Sequence, residues 1–83
     1  MTLFQELVYA VVKKIPKGKT LTYKQVAIKI GRRNSARAVG NALNKNHDKS
    51  VPCHRVIRSD GKIGGYNRGT NKKIALLKRE RAI

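Results

Sequence analysis

The sequence predicts a mainly α-helical domain with a small β-hairpin, of the winged-helix-like helix-turn-helix type. Apolar residues recur at helical spacing in four segments of the chain. Two of the predicted helices are short and are joined by a turn that contains Gly31, as in a helix-turn-helix. The pair Asp60-Gly61 is typical of a hairpin turn. The 83 residues contain no linker, repeat or low-complexity tract, so we predict a single domain over residues 1–83.

The first two helices are each predicted from a capping box. Residues 2–5 have the Thr-x-x-Gln spacing in which the two side chains bond each other's backbone N–H, and residues 22–25 repeat it. An apolar face follows the first box and consists of Phe4, Leu7, Val8, Val11 and Ile15. The segment 16–19, with its proline and glycine, should end the first helix, and Gly31 should end the second.

The second half of the chain predicts a third helix, the hairpin and a last helix. Asn34 or Ser35 can cap the third helix, whose inner face would consist of Ala36, Val39, Gly40 and Leu43. The strands of the predicted hairpin are Val56–Arg58 and Lys62–Ile63. The glycine-rich segment 64–69 predicts a loop whose backbone lies close to another part of the protein, with a flexible connector as the alternative. The segment 71–82 predicts the last helix.

The charge balance predicts a polyanionic partner. Lysine and arginine total 20 against four acidic residues, which gives a net charge of +16. Nucleic acid is the first candidate and an anionic membrane surface is the second. No apolar run approaches the roughly 20 residues that span a bilayer, and no signal peptide is visible. We therefore expect an intracellular protein (in the cytoplasm and nucleoid, or in a nucleus) that is not inserted in a membrane.

The single cysteine, Cys53, is the strongest candidate for chemistry. One cysteine cannot form an intramolecular disulfide or a thiolate metal site, so we expect no metal. It is either a buried small hydrophobe or a reactive thiol. Its neighbours Pro52, His54 and Arg55 favour the reactive thiol, because a nearby cation or imidazole raises the thiolate fraction.

Glu80 is the second candidate. It lies three residues after Leu77 and four after Leu76, which directs it toward the surface on which the last helix packs. Acidic side chains are seldom buried unless they are paired. One reading is an exposed glutamate paired with Lys73 or Arg81. The other is a carboxylate that orients His54, since an activated nucleophile needs a base and a third group that holds the base.

The segment Pro52–Val56 resembles the active-site motif of the alkylguanine-DNA alkyltransferases. Further segments resemble the family in the same order along nearly the whole chain, namely residues 4–5, 15–18, 22–27, 36–40, 64–66 and 76–80. The resemblance covers the family's C-terminal DNA-binding and catalytic domain, and its usual N-terminal domain is not represented.

The resemblance implies direct repair of guanine alkylated on its exocyclic oxygen. The alkyl group would move irreversibly to Cys53, once per molecule and without a cofactor. His54 would take the thiol proton through a water, Glu80 would hold the imidazole, and Tyr23 would donate a hydrogen bond to the base. Asn46 would tether the active-site segment to the helix-turn-helix; its alternative role is a helix cap, and both can hold.

The resemblance also implies binding to the minor groove of double-stranded DNA and flipping of the damaged base. Arg37 would fill the gap in the base stack, with an ordinary phosphate contact as the alternative. The other residues expected at the DNA are Ala36, Ala38, Gly40, Asn41 and Tyr23. The residues expected at the base pocket are Gly65, Tyr66, Asn67, Arg55 and Val56. We expect a monomer with no obligate protein partner.

Two alternatives remain open at the level of sequence. An alkyltransferase-like lesion binder would hold the flipped base without chemistry; such proteins replace the motif cysteine, often with tryptophan, whereas this chain keeps Cys53. A basic architectural protein would bend DNA without lesion preference. One departure from the family pattern concerns residues 47–51, which are polar and one residue shorter than the family's proline and apolar run.

Overall fold

The computed structural model describes residues 2–60, 63–64 and 69–82. The helices are α1 (Leu3–Lys13), α2 (Tyr23–Lys29), α3 (Ala36–Asn44) and α4 (Thr70–Arg79). A single 3-10 turn, Cys53–Arg55, precedes α4, and the strands are β1 (Leu21–Thr22) and β2 (Val56–Ile57). The predicted class, mainly helical with a small sheet, is confirmed.

Local sequence signals set the helix ends. Both predicted capping boxes form, with the backbone N–H of Gln5 bonding Thr2 and that of Gln25 bonding Thr22, at 3.1 and 3.0 Å. The second helix ends at Lys29 and is followed by Gly31, whose φ of +75° is a left-handed conformation that suits glycine. Ser35 occupies the cap position of α3, but its side chain makes no capping hydrogen bond.

The small sheet differs from the predicted hairpin. Strand β1 pairs with β2 in parallel, with Leu21 opposite Val56 and Thr22 opposite Ile57. Parallel strands require a long crossover connection, which α2 and α3 supply. Gly61 and Lys62, in the turn and second strand of the predicted hairpin, lie outside the described residues. The parallel pairing places the start of α2 beside the residues that follow β2.

The core lies between α1, α2 and α3. Its completely buried side chains include Val8, Val12, Val26, Val39 and Val56. The predicted face of α1 was partly wrong: Leu7 is 37% exposed, whereas Val12 is completely buried. Of the other predicted positions, Val8 and Ile15 are buried in the core, and Phe4 and Val11 are partly buried against it.

The end of α4 carries backbone strain at Arg81. The N–H of Arg81 bonds the carbonyl of Lys78, and the N–H of Ala82 bonds that of Leu77 at 2.9 Å. This closing pattern requires a left-handed residue, and Arg81 adopts it with a φ of +60°. It places Glu80 at the cap of the helix, next to the turn that carries Cys53.

We predict that Arg81→Gly raises the free energy of unfolding by about 1 kcal/mol, because glycine adopts the left-handed conformation without a Cβ clash. Denaturant titration measures the change. The matched control is Ala75→Gly at an exposed position within the same helix, which should lower stability by about 1 kcal/mol. A loss of stability in both variants would contradict the prediction.

Candidate functional site

The 3-10 turn and the residues that follow α3 meet at Cys53. The thiol is 7% exposed and lies in the 3-10 turn. The side-chain amide of Asn46, itself buried just beyond the end of α3, donates from Nδ2 to Sγ at 3.2 Å. A donor in this position stabilises a thiolate, because hydrogen bonding to the charged form favours it. The turn therefore presents the sulfur against a fixed N–H group.

A carboxylate, an imidazole and a guanidinium form the second part of the site. His54 Nε2 lies 2.9 Å from Glu80 Oε2. Arg55 donates to both oxygens of Glu80, at 2.8 and 2.7 Å, and its Nη1 donates to the carbonyl of Ile15 at 2.9 Å. Glu80 therefore points inward as the sequence predicts, and its partners are His54 and Arg55 rather than the alternatives Lys73 and Arg81.

The charge state of Glu80 fixes the tautomer of His54. The hydrogen bonds from Arg55, and then those from His54, lower the pKa of Glu80 to about 2, although burial acts in the opposite direction. The ionised carboxylate can only accept, so Nε2 carries the proton of the neutral imidazole and Nδ1 carries its lone pair. His54 is therefore prepared to accept a proton at Nδ1 while Glu80 stabilises the resulting cation.

Sequence reasoning placed Arg55 in the base pocket, which stays a prediction, and missed its pairing with Glu80. The guanidinium joins the end of α1, the 3-10 turn and the end of α4 through Ile15 and Glu80. The signal in the sequence was the inward acid, which requires a cation. Composition could not select Arg55 among 20 basic residues.

Lys73 is the other residue that sequence reasoning missed. Its side chain is completely buried, and Nζ donates to the carbonyl of Val56 at 2.6 Å and to the hydroxyl of Tyr23 at 3.5 Å. Nζ also lies 5.6 Å from the centre of the Tyr23 ring. Burial lowers the pKa of Lys73 to about 8. Its position four residues before Leu77, on the inward face of α4, was the available signal.

Tyr23 lies between Lys73 and the glycine-rich segment. Burial is the main reason that the pKa of its hydroxyl is raised. A Cβ on Gly64 would lie 3.0 Å from Cγ of Arg58 and 3.3 Å from the Tyr23 hydroxyl, and the φ of Gly64 is +80°. The close backbone approach predicted for this segment is therefore present at Gly64. Gly65, Tyr66 and Asn67 lie outside the described residues.

The candidate nucleic-acid interface is the outer face of α3. Arg37, Ala38 and Asn41 are exposed, and Ala36 and Gly40 are half-buried. An open groove lies along this face, lined by Tyr23, Ala36, Arg37, Gly40, Arg58, Ser59 and Asp60. A Cβ on Gly40 would make only ordinary contact with the Tyr23 ring, at 3.8 Å, so the fold itself does not require glycine there. Arg37 and Tyr23 thus line the same groove.

The described residues 2–60, 63–64 and 69–82 contain no group of three or more metal-ligating side chains. Within the same residues, no helix combines the length and the apolar character needed to cross a bilayer.

The fold and the site are shared with the DNA-binding domain of a known family. Residues 3–82 match the family described as 6-O-methylguanine DNA methyltransferase, DNA binding domain. The match covers nearly the whole chain, and the chain belongs to this family. The resemblance seen in Pro52–Val56 is thereby confirmed.

Curated relatives support the assignment. The methylated-DNA–protein-cysteine methyltransferase of Methanosarcina barkeri is 49% identical over 80 residues, which cover 95% of this chain and 51% of that protein. The protein of the same name from Saccharolobus islandicus is 53% identical over 78 residues, covering 93% of this chain and 50% of that protein. The chain spans about half the length of the curated relatives it matches.

Solved structures have the same fold. The structure of Mycobacterium tuberculosis OGT in complex with DNA superposes with a TM-score of 0.94 at 44% identity, covering 99% of this chain and 51% of that chain. The structure of S. pombe Atl1 in complex with damaged DNA containing O6-carboxymethylguanine superposes with a TM-score of 0.88 at 37% identity, covering 96% of this chain and 77% of that chain.

We predict that Glu80 stabilises the fold at neutral pH and loses this effect in acid. The folded pKa of about 2 lies below the unfolded value near 4.3, so the contribution is complete above about pH 4.3 and disappears as the pH falls toward 2. It corresponds to about 3 kcal/mol. In denaturant titrations, the stability difference between wild type and Glu80→Gln should therefore be largest at neutral pH and shrink toward pH 2.

Asp60→Asn is the matched control for this measurement. Its ion pair with Arg58 is exposed on both sides, so its removal should change stability by less than about 1 kcal/mol. A difference for Glu80→Gln that does not vary between pH 5 and about 2 would mean that the ion pair with Arg55 does not set the protonation of Glu80.

Proposed function

We propose that this domain repairs guanine alkylated on its exocyclic oxygen, in double-stranded DNA, by moving the alkyl group irreversibly to Cys53. One observation carries the proposal: the only cysteine lies against the Asn46 amide and is followed directly by His54, which is held by an ionised Glu80. A cysteine used for packing alone would not need this arrangement. Membership in the 6-O-methylguanine methyltransferase family supports the choice of substrate.

The proposed reaction is an in-line displacement. The Cys53 sulfur attacks the alkyl carbon, so that a carbon–sulfur bond forms while the bond between that carbon and the guanine oxygen breaks. His54 accepts the thiol proton, through a bridging water, and Glu80 stabilises the imidazolium. The guanine leaves with the electron pair of the broken bond and takes up a proton from solvent, while the Tyr23 hydroxyl donates a hydrogen bond to the base. The thioether is stable, so each molecule acts once and no cofactor is required.

The proposed DNA contact is the outer face of α3 in the minor groove. The net charge of +16 supports binding to a polyanion. The small residues Ala36, Ala38 and Gly40 leave the helix backbone open to close approach, and Arg37 would fill the gap that a flipped guanine leaves. Asn41 extends the same exposed face. The groove that joins Arg37 to Tyr23 supports a path from the base stack to the site.

The proposed base pocket includes Tyr23, Val56 and the segment that follows Gly64. The raised pKa of Tyr23 keeps its hydroxyl protonated, as a donor to the base requires. We propose that the protein acts inside the cell as a monomer, since the reaction needs one thiol and one damaged base.

A lesion-binding role is the second candidate. The match to the S. pombe Atl1 structure with damaged DNA covers 77% of the Atl1 chain. The match to the OGT structure covers only 51% of the OGT chain. A lesion binder would hold the alkylated base and signal to other repair machinery without transfer. Transfer to Cys53 separates the two functions.

We predict that incubation with an oligonucleotide duplex containing one O6-methylguanine adds one methyl group to the protein, on the peptide that contains Cys53. Mass spectrometry of the intact and digested protein measures the transfer. Because the chain has one cysteine, the modified position is unambiguous. Cys53→Ala should bind the same duplex without gaining mass. Unmodified wild-type protein after long incubation would reject the transferase and favour the lesion binder.

We predict that Arg37→Ala slows transfer from duplex DNA by about 100-fold, because the unstacking cost of a few kcal/mol is no longer offset. Transfer from the free modified base should be nearly unchanged, since nothing has to be flipped. Single-turnover rates on the two substrates measure the effect.

Lys24→Ala is the control for general charge, because Lys24 is exposed and does not line the α3 groove. It should weaken duplex binding and reduce the slope of log affinity against log salt by about 0.9, which corresponds to one phosphate contact. It should not slow transfer from duplex DNA relative to transfer from the free base. If Arg37→Ala slows transfer equally from duplex DNA and from the free base, the proposal that Arg37 fills the gap in the base stack is wrong.

A further inference from the structure

The short polar segment after α3 forms a closed turn around Asp48. The Asp48 carboxylate accepts the N–H of Ser50 at 2.8 Å, and the Asp48 carbonyl accepts the N–H of Val51 at 3.1 Å. Hydrogen bonds from the backbone and the side chain of Ser50 are the main reason that the pKa of Asp48 lies below its usual range. The N–H of Cys53 bonds the carbonyl of Val51 at 2.8 Å, which joins the turn directly to the nucleophile.

The backbone of Asp48 also selects the orientation of the Asn46 amide. Its N–H donates to Oδ1 of Asn46 at 3.1 Å, and its carbonyl accepts from Nδ2 at 2.9 Å. A flipped amide would face oxygen with oxygen and N–H with N–H, and would lose both bonds. Nδ2 therefore has its other hydrogen directed at the Cys53 sulfur, 3.2 Å away.

We propose that Asp48 is a positioning residue for Cys53: its carboxylate closes the turn 48–51, the turn fixes the Asn46 amide, and the amide N–H stabilises the thiolate. This inference rests on the proposed use of Cys53 as the nucleophile. The Asx turn formed by Asp48 and Ser50 restrains the backbone of residues 48–51.

The proposal makes a prediction whose sign opposes simple electrostatics. Removing a negative charge near a thiol favours the thiolate and would lower the midpoint of its titration. Losing the turn would instead release the Asn46 amide from the sulfur and raise that midpoint. Asp48→Ala should therefore raise the midpoint by about one pH unit, a roughly tenfold loss of thiolate at a given pH below it. Asp48→Asn keeps the acceptor for Ser50 and should leave the midpoint within a few tenths of wild type.

The ultraviolet absorbance of the thiolate, titrated in the DNA-free protein with Cys53→Ala as the blank, measures the midpoint directly. Since Cys53 is the only cysteine, the signal belongs to one group. Glu6→Gln is the control for charge, because it removes one exposed acid from the first turn of α1. Asp48→Ser, which keeps a weaker acceptor, should fall between Asp48→Ala and Asp48→Asn, and it replaces the alanine variant if that variant does not fold.

A raised midpoint in Asp48→Ala, with recovery in Asp48→Asn and no rise in Glu6→Gln, supports the proposal. An unchanged or lowered midpoint in Asp48→Ala overturns it, and so does an equal rise in Asp48→Asn. The rate of transfer should fall most in Asp48→Ala, less in Asp48→Ser and least in Asp48→Asn, in the same order as the loss of thiolate. Failure of the wild type to accept a methyl group would reject the proposed function while leaving the titration to decide the role of Asp48.

Discussion

The ion pair between Glu80 and Arg55 is the constraint on which the rest of the site depends. The bidentate pair joins the end of α4 to the 3-10 turn, and Nη1 of Arg55 donates to the carbonyl of Ile15 beyond α1. Breaking a buried pair by removing one partner is strongly destabilising, because it leaves a charge uncompensated. His54 shares the carboxylate, so the interaction that fixes the helices also fixes the orientation of the imidazole.

The interior of this basic domain contains a buried cation whose pKa also responds to Cys53. Lys73 is completely buried and is held by the Val56 carbonyl and the Tyr23 ring and hydroxyl. Burying an ammonium group costs free energy, which is consistent with its lowered pKa of about 8. A cation at this depth stabilises negative charge that develops at a nearby thiolate. The buried Lys73 thus costs folding free energy and favours the charged form of a nearby thiol.

The acidic residues are few, and two of the four lie at the site. Glu80 is nearly buried and holds His54, whereas Asp48 is exposed and closes the turn before Cys53. The basic residues are mostly exposed and are available to attract a polyanion, although Arg58 on the surface is paired with Asp60. The exposed basic residues therefore provide long-range attraction, whereas the carboxylates of Glu80 and Asp48 act locally at the site.

The sequence determined the local features, because these depend on neighbours along the chain. The capping boxes at Thr2 and Thr22, the helix end at Gly31 and the inward face that carries Glu80 follow from spacing alone. The motif around Cys53 likewise pointed to its family. Only the tertiary structure decided the parallel pairing of β1 with β2, the bond of Arg55 to Glu80 and the burial of Lys73. These contacts join residues 17 to 50 positions apart. No local pattern specifies which of 20 basic side chains meets a distant carboxylate or carbonyl.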